Sequence, residues 1–424
     1  MFGKIIHTFG TKSLAAVINL LIAIVLSQYL GPAGKGQQGL IITTIAIILV
    51  FSNLVGGATL VYLTPRHKVS VLFMPSYFWS ILISLLAFGV LFLFPVVDRS
   101  FTFHIAILSA INSFASINST LLIGKEKIKA SNFVTLLQPL IVILTITGFF
   151  TLTSYHNIYT YILALYLSFT ISWLAGLLYL RKSLLSGTHT IKAIPGVLRD
   201  LFKFGFLNQL AHIAQLMSFR LSYYFLDAYH GENYVGIYSN GIALMESIWL
   251  VSKSISLVQY ARIANTDDIR YAQRITLQLV QVSLGISMVL ILPLILLPTA
   301  FYTFLFGEGF EGIKPVMWAL APGVLIYNIN ILTGHYFSGR GKYHINIIAS
   351  SAGLIVSLIA LYLLVPVYAA SGAGWATSIS YLGTSLLIMF FFRKESVLQR
   401  KDWVLNAKDL NMFAGEIRNL LKKK

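Results

Sequence analysis

The chain has 424 residues, of which 57% are hydrophobic and 11% charged, with 31 Lys and Arg against 14 Asp and Glu. A mean hydropathy of +0.79 excludes an ordinary soluble globular fold. The absence of cysteine excludes disulfides, thiolate metal sites and a Cys nucleophile. A net charge of +17 would suit a nucleic-acid binder, but the basic residues fall in the breaks between apolar runs, where they orient a chain in a membrane.

Apolar runs of about 20 or more residues recur from end to end, the signature of a polytopic helical membrane protein. The first, Ile5 to Leu30, is too long for the apolar core of a signal peptide and lacks a small-residue cleavage site, so it is expected to remain as a span. Read against their polar breaks, the runs predict twelve spans at approximately 5–30, 38–63, 72–96, 102–123, 132–152, 158–180, 204–226, 234–260, 275–300, 315–338, 345–366 and 371–392. An omitted or invented span would swap the charge pattern of every later loop. It does not swap: Lys4 and Lys12, Arg66 and Lys68, Lys125 to Lys129, Arg181 to Lys203, Arg262 to Arg274, Arg340 and Lys342, and the tail from Arg393 all fall on one side. The other side carries Lys35, Arg99 and Lys314. The positive-inside rule therefore predicts a multi-pass protein with both termini cytoplasmic.

The internal connection Arg181 to Asp200 contains Ser186, Gly187 and Pro195 and reads as a linker between two halves. Weak internal echoes support a 6+6 repeat. Gly39 opens a run ending at Arg66 and Gly236 one ending at Arg262, while Gly124-Lys125-Glu126-Lys127 is matched by Gly339-Arg340-Gly341-Lys342. The expected fold is all-α, with an N-terminal six-helix bundle over residues 1–192 and a C-terminal one over 193–392. A basic tail, 393–424, spaces Leu410, Phe413, Ile417 and Leu420 as an amphipathic surface helix for membrane lipids.

Charge inside the membrane concentrates between Leu201 and Arg262. The seventh span carries Asn208, Gln209, His212, Gln215 and Arg220 within about 140° of arc, one polar stripe. The eighth places Glu246, Trp249 and Lys253 at i, i+3 and i+7, on one face. Charge at that depth costs at least about 2.5–3.5 kcal/mol unless it meets a partner or water, so the stripe is expected to line a water-filled path. Lys253 has no acid partner of its own once Glu246 pairs with Arg220, which favours an anionic substrate. Glu246 and His212 are the candidates for ion coupling; the competing reading of Glu246 is a buried ion pair with Arg220, and an interhelical hydrogen bond is the commoner role of a histidine such as His212. The first span adds Lys12, Ala15, Ala16, Asn19 and Ala23 on a narrow face of small and polar residues, which reads as close packing or as a cationic inner mouth.

No metal-ligand spacing and no Ser/His/acid set stands out, and Gly31-Pro32-Ala33-Gly34-Lys35-Gly36 lacks the Lys-Ser/Thr ending of a P-loop. Tyr29-Leu30-Gly31-Pro32-Ala33-Gly34-Lys35-Gly36, Phe51-Ser52-Asn53-Leu54-Val55-Gly56-Gly57-Ala58 and the Gly-Lys loop before Asn132 resemble bacterial polysaccharide flippases. These are the Wzx-type branch of the multidrug/oligosaccharidyl-lipid/polysaccharide exporter superfamily. The resemblance implies a V-shaped, MATE-like transporter of the bacterial inner membrane and no enzyme. It would move a polyprenyl-diphosphate-linked oligosaccharide outward by alternating access, without a bound cofactor, driven by a proton or sodium gradient. The family's cavity cations map onto Arg220 and Lys253, and onto Lys12. Asn208, Gln209 and Gln215 would then meet sugar hydroxyls, with Trp249 beside them, and a polysaccharide polymerase and chain-length machinery would be partners. Two rivals remain: a multidrug or cation antiporter of the same fold, and a membrane-embedded polymerase or ligase, against which the short outward loops argue.

Overall fold

The computed structural model describes residues 2–185 and 194–398, so most of the linker and the tail helix lie outside the described residues. The described chain is helical throughout: α1 (Phe2–Ser52), a 3-10 turn (Asn53–Val55), α2 (Gly57–Leu63), α3 (Val69–Leu93), α4 (Arg99–Gly124), α5 (Ile128–Leu152), α6 (Ile158–Leu185), α7 (Ile194–His230), α8 (Glu232–Ser247), α9 (Trp249–Ala264), α10 (Ile269–Leu296), α11 (Thr299–Phe306), α12 (Ile313–Gly339) and α13 (Tyr343–Lys394). Among the described residues, eight helical segments are long and apolar enough to cross a membrane.

Two of these double back. At about 1.5 Å per residue a straight α1 would far exceed a bilayer core of about 30 Å. Gly31, at φ 64 and ψ −172, breaks it into two arms. The fold-back is visible in the neighbours: Ser27 accepts from Asn240 Nδ2 at 2.7 Å, while Gly39, twelve residues on, lies against Ser239. α13 folds at Ala369, φ 47, which lets Ser380 Oγ donate to Gly353 O at 2.8 Å. With α7 and the α8–α9 pair as further crossings, the described chain has the twelve spans and two six-helix bundles that the sequence predicts.

The second span is itself broken, because Gly56 and Gly57 interrupt the helix between α1 and α2. Backbone carbonyls freed at membrane depth need partners. Val50 O receives Gln209 Nε2 at 2.9 Å, Phe51 O receives Trp79 Nε1 at 3.2 Å, and Val55 O receives Ser76 Oγ at 2.9 Å. Side chains such as Phe78, Leu85, Leu93, Leu152, Leu178 and Phe304 are exposed on the outside. They form the apolar coat of a multi-pass membrane protein.

The bundles meet tightly at the face opposite the basic loops. A Cβ at Gly36 would lie 1.9 Å from Glu232 O, and one at Gly236 would lie 2.0 Å from Pro32 O, so only glycine permits this crossing of the α1 hairpin and α8. Gln37 Nε2 donates to Glu232 Oε2 at 2.8 Å, and Gln28 Nε2 to Leu305 O at 3.1 Å, over the same seam.

Candidate functional site

α7 and the α8–α9 pair bring the predicted charges together. Arg220 Nη2 lies 3.4 Å from Glu246 Oε2, with the two side chains 26% and 15% exposed. Tyr381 Oη donates to the other oxygen, Glu246 Oε1, at 2.8 Å. Both carboxylate oxygens are thus engaged, one by a single long contact with the guanidinium and one by a phenol. Trp249 is 1% exposed and donates from Nε1 to Val324 O at 2.9 Å, so it forms the floor of the wall and not a surface group. Phe219, Tyr327 and Tyr381 ring it at centroid distances of 5.8, 4.9 and 5.3 Å. Lys253 Nζ stands 5.3 Å from the Trp249 ring and is exposed. Its ammonium is placed by a cation–π contact on a rigid aromatic base.

Lys12, on the first arm of α1, is exposed, and Lys12, Arg220 and Glu246 all lie within electrostatic reach of Lys253. Three cations against one carboxylate leave this region net positive. His212 is exposed on α7 within electrostatic reach of His335, whose Nδ1 donates to Ile331 O at 2.7 Å.

The amides assigned from the sequence to sugar contacts are placed differently. Gln209 is 7% exposed, and one of its amide protons is donated to Val50 O. Gln215 Nε2 donates to Tyr327 Oη at 2.7 Å. The side chain of Asn208 lies outside the described residues. Sequence reasoning missed Tyr327 and Tyr381, which sit on spans ten and twelve. No local spacing links either to α7, and a hydroxyl-bearing ring in an apolar run was the signal available.

The two flanks between the bundles differ. On one, the broken second span lies against α7 toward the basic-loop face, where a Cβ at Gly205 would be 2.2 Å from Leu54 O. On the other, among the described residues, the α1 hairpin packs far more extensively on α8 than on α9. The first arm of α1 is correspondingly bare there. At 100° per residue, Lys12, Ala16 and Asn19 share one face. Leu14, Val17 and Leu21 share the opposite one, and Phe9 and Leu20 lie between. All eight residues are exposed. Ile18 and Ile22, on the remaining side, are buried. A polar wall and a lipid-facing surface are therefore joined by an uncovered edge of one helix.

The architecture is that of a MATE-like transporter fold. Among solved structures, "Lipid II flippase MurJ, inward closed conformation" aligns at a TM-score of 0.72 and 15% identity, over 93% of this chain and 88% of that one. An inward-facing multidrug resistance MATE family transporter of the MOP superfamily aligns at 0.66 and 15% identity, covering 90% and 94%. A MOP superfamily transporter from Pyrococcus furiosus, described as having a binding pocket of reversed polarity, aligns at 0.62 and 14% identity, covering 92% and 93%. No family model and no curated protein sequence matches the chain.

Proposed function

We propose that the chain is a flippase for a polyprenyl-diphosphate-linked oligosaccharide, working by alternating access in the bacterial cytoplasmic membrane with both termini in the cytosol. It performs no bond chemistry. The observation that carries this reading is the junction of a net-positive wall with an exposed edge of α1 that leads to the apolar outer surface. A substrate with an anionic diphosphate and a long apolar tail needs both at once. The cations would hold the diphosphate while the tail stays in the bilayer along the uncovered edge of α1. A soluble drug needs no such edge, and Glu246, held by Arg220 and Tyr381, suits a salt-bridge role better than a free cation-binding one.

Within this reading, residues 1–192 and 193–392 are the rocking units, and the tail from 393 rests on the inner leaflet. A proton or sodium gradient drives the cycle, with His212 and Glu246 the groups to probe for coupling. A polymerase and chain-length machinery would receive the product. Wild-type protein reconstituted in vesicles should move lipid-linked oligosaccharide across the bilayer. Arg220→Ala and Lys253→Ala should each lower the rate by about tenfold or more while inserting normally, since each removes a charge-assisted contact worth about 1.5–3 kcal/mol. Normal transport by both variants would remove the site. Deletion in the host should leave complete repeat units on the cytoplasmic leaflet, whereas unchanged glycan with new drug sensitivity would favour the multidrug antiporter.

A further inference from the structure

The bundle facing the cations carries a second wall of different chemistry. On α4, Asn112, Ser116 and Ser119 follow i, i+4, i+7 spacing and share one partly exposed stripe, flanked by buried Ser113, Ala115, Ile117 and Asn118. On α5, Thr135 and Gln138 share a face. Thr135 is exposed even though it lies on the side of the helix opposite the exposed apolar residues Phe133, Leu140 and Leu144. An exposed hydroxyl opposite the lipid-facing side opens onto interior space. The first arm of α1, which packs on α4 and α5, adds exposed Asn19.

These groups are only partly used by the fold. Gln138 Nε2 donates to Asn112 Oδ1 at 3.3 Å, which occupies one donor and one acceptor of the pair. Ser119 Oγ lies 2.7 Å from Ser131 Oγ and 3.3 Å from Thr135 Oγ1. Each amide carries two donors and an acceptor with two lone pairs, so capacity remains on both. Counting about 1.5 Å per residue from the far ends of their helices, Asn19, Asn112 and Gln138 lie about 16–21 Å deep, against about 15 Å for Arg220 and about 21 Å for Glu246. The two walls stand at the same level.

We infer that this uncharged wall, Asn19, Asn112, Ser119, Thr135 and Gln138, is the subsite for the sugar hydroxyls of the lipid-linked substrate, across from Arg220 and Lys253, which hold its diphosphate. The inference rests on the flippase reading. It adds a wall on α1, α4 and α5 to Gln215 of α7, whereas Gln209 is buried against Val50 O. Hydroxyls both donate and accept, and neutral amides do the same. A carboxylate or ammonium at these positions would accept only or donate only. Water is excluded from both partners on binding, so each unmatched polar group weighs against a ligand that lacks sugar.

The test is binding to the full chain in lipid nanodiscs, with two probes: bare polyprenyl diphosphate and polyprenyl diphosphate carrying one N-acetylhexosamine. Wild type should bind the glycosylated probe about tenfold more tightly, the value of one or two net hydrogen bonds. Asn112→Ala/Gln138→Ala should bind both probes alike, with affinity for the bare lipid unchanged. Asn19→Ala, at an exposed position with no packing to lose, should narrow the preference without altering thermal stability. If both variants keep the wild-type preference while Arg220→Ala weakens both probes, the sugar subsite is wrong and the flippase reading stands. If wild type binds neither probe, both fall.

Discussion

The two flanks between the bundles are built from equivalent spans, yet one is closed along its length and the other only at the end away from the basic loops. On the closed flank, the Gly56–Gly57 break brings Val50 O and Leu54 O against Gln209 and Gly205 of α7. On the other, the Gly36 and Gly236 crossing closes the far end, and the first arm of α1 nearer the basic loops keeps Phe9, Leu20 and Lys12 exposed. Closure here is a matter of backbone approach. Where glycine or a freed carbonyl allows the main chains to meet, the bundles seal, and where ordinary side chains stand between them, the cavity opens.

The largest expected effect comes from filling the glycine crossing. In Gly36→Val or Gly236→Val a side-chain carbon meets a backbone carbonyl that has nowhere to move. Overpacking of about 1–3 kcal/mol would shift the ratio of sealed to unsealed forms roughly 5- to 150-fold. Transport in vesicles should fall at least tenfold, and a maleimide added from the far face should label a cysteine placed at Ser27. Full transport with no change in labelling would show that this seam is not a gate. A milder version uses the native absence of cysteine. Ser27→Cys/Asn240→Cys, at positions whose native side chains meet at 2.7 Å, should be joined by a short bis-methanethiosulfonate crosslinker that halts transport and is reversed by reductant. Transport that survives complete crosslinking would separate the seam from the cycle.

The closed flank predicts a smaller, purely structural effect. Gln209→Leu leaves Val50 O without its donor inside a membrane, at a cost of about 1–3 kcal/mol. Thermal unfolding in detergent should move down by several degrees, while the affinity of the remaining folded protein for polyprenyl diphosphate carrying one N-acetylhexosamine stays at the wild-type value. A loss of affinity without a loss of stability would put Gln209 back in the cavity.

Much of the fold was legible because its signals are local. Apolar run length gave the spans, loop charge gave a consistent alternation, and i, i+3, i+7 spacing put Glu246, Trp249 and Lys253 together. The Arg220–Glu246 pair was readable for the same reason, since a lone acid and a lone cation on adjacent spans at similar depth have few alternatives. Three features escaped. Gln209 looked like a cavity group because the need for it arises in span two, at a carbonyl freed by Gly56 and Gly57. Trp249 looked like a binding ring, yet its indole nitrogen bonds to Val324 O on α12, a partner 75 residues away. The amides of α4 and α5 were overlooked because uncharged polar residues in apolar runs are ordinary packing groups. Only the exposure of Thr135 on the side away from lipid distinguishes them.

The smallest effect belongs away from both flanks, where it serves as a control on the comparison. Asp98 caps α4: its Oδ1 accepts from Ser100 N at 2.8 Å, which holds the carboxyl below its usual range. A depressed carboxylate contributes stability that is fully present above the unfolded-state value of about 4 and is lost as pH falls through the lower folded-state value. Asp98→Ala should therefore cost about 1 kcal/mol at neutral pH. The gap in unfolding temperature from wild type should shrink as pH drops below about 4, because both proteins then lack the charged cap. Neither maleimide labelling at Ser27 nor probe affinity should change. If this variant altered either one, helix stability in the N-terminal bundle would itself control the opening, and the contrast between the flanks would reflect bundle rigidity rather than the local approach of their backbones.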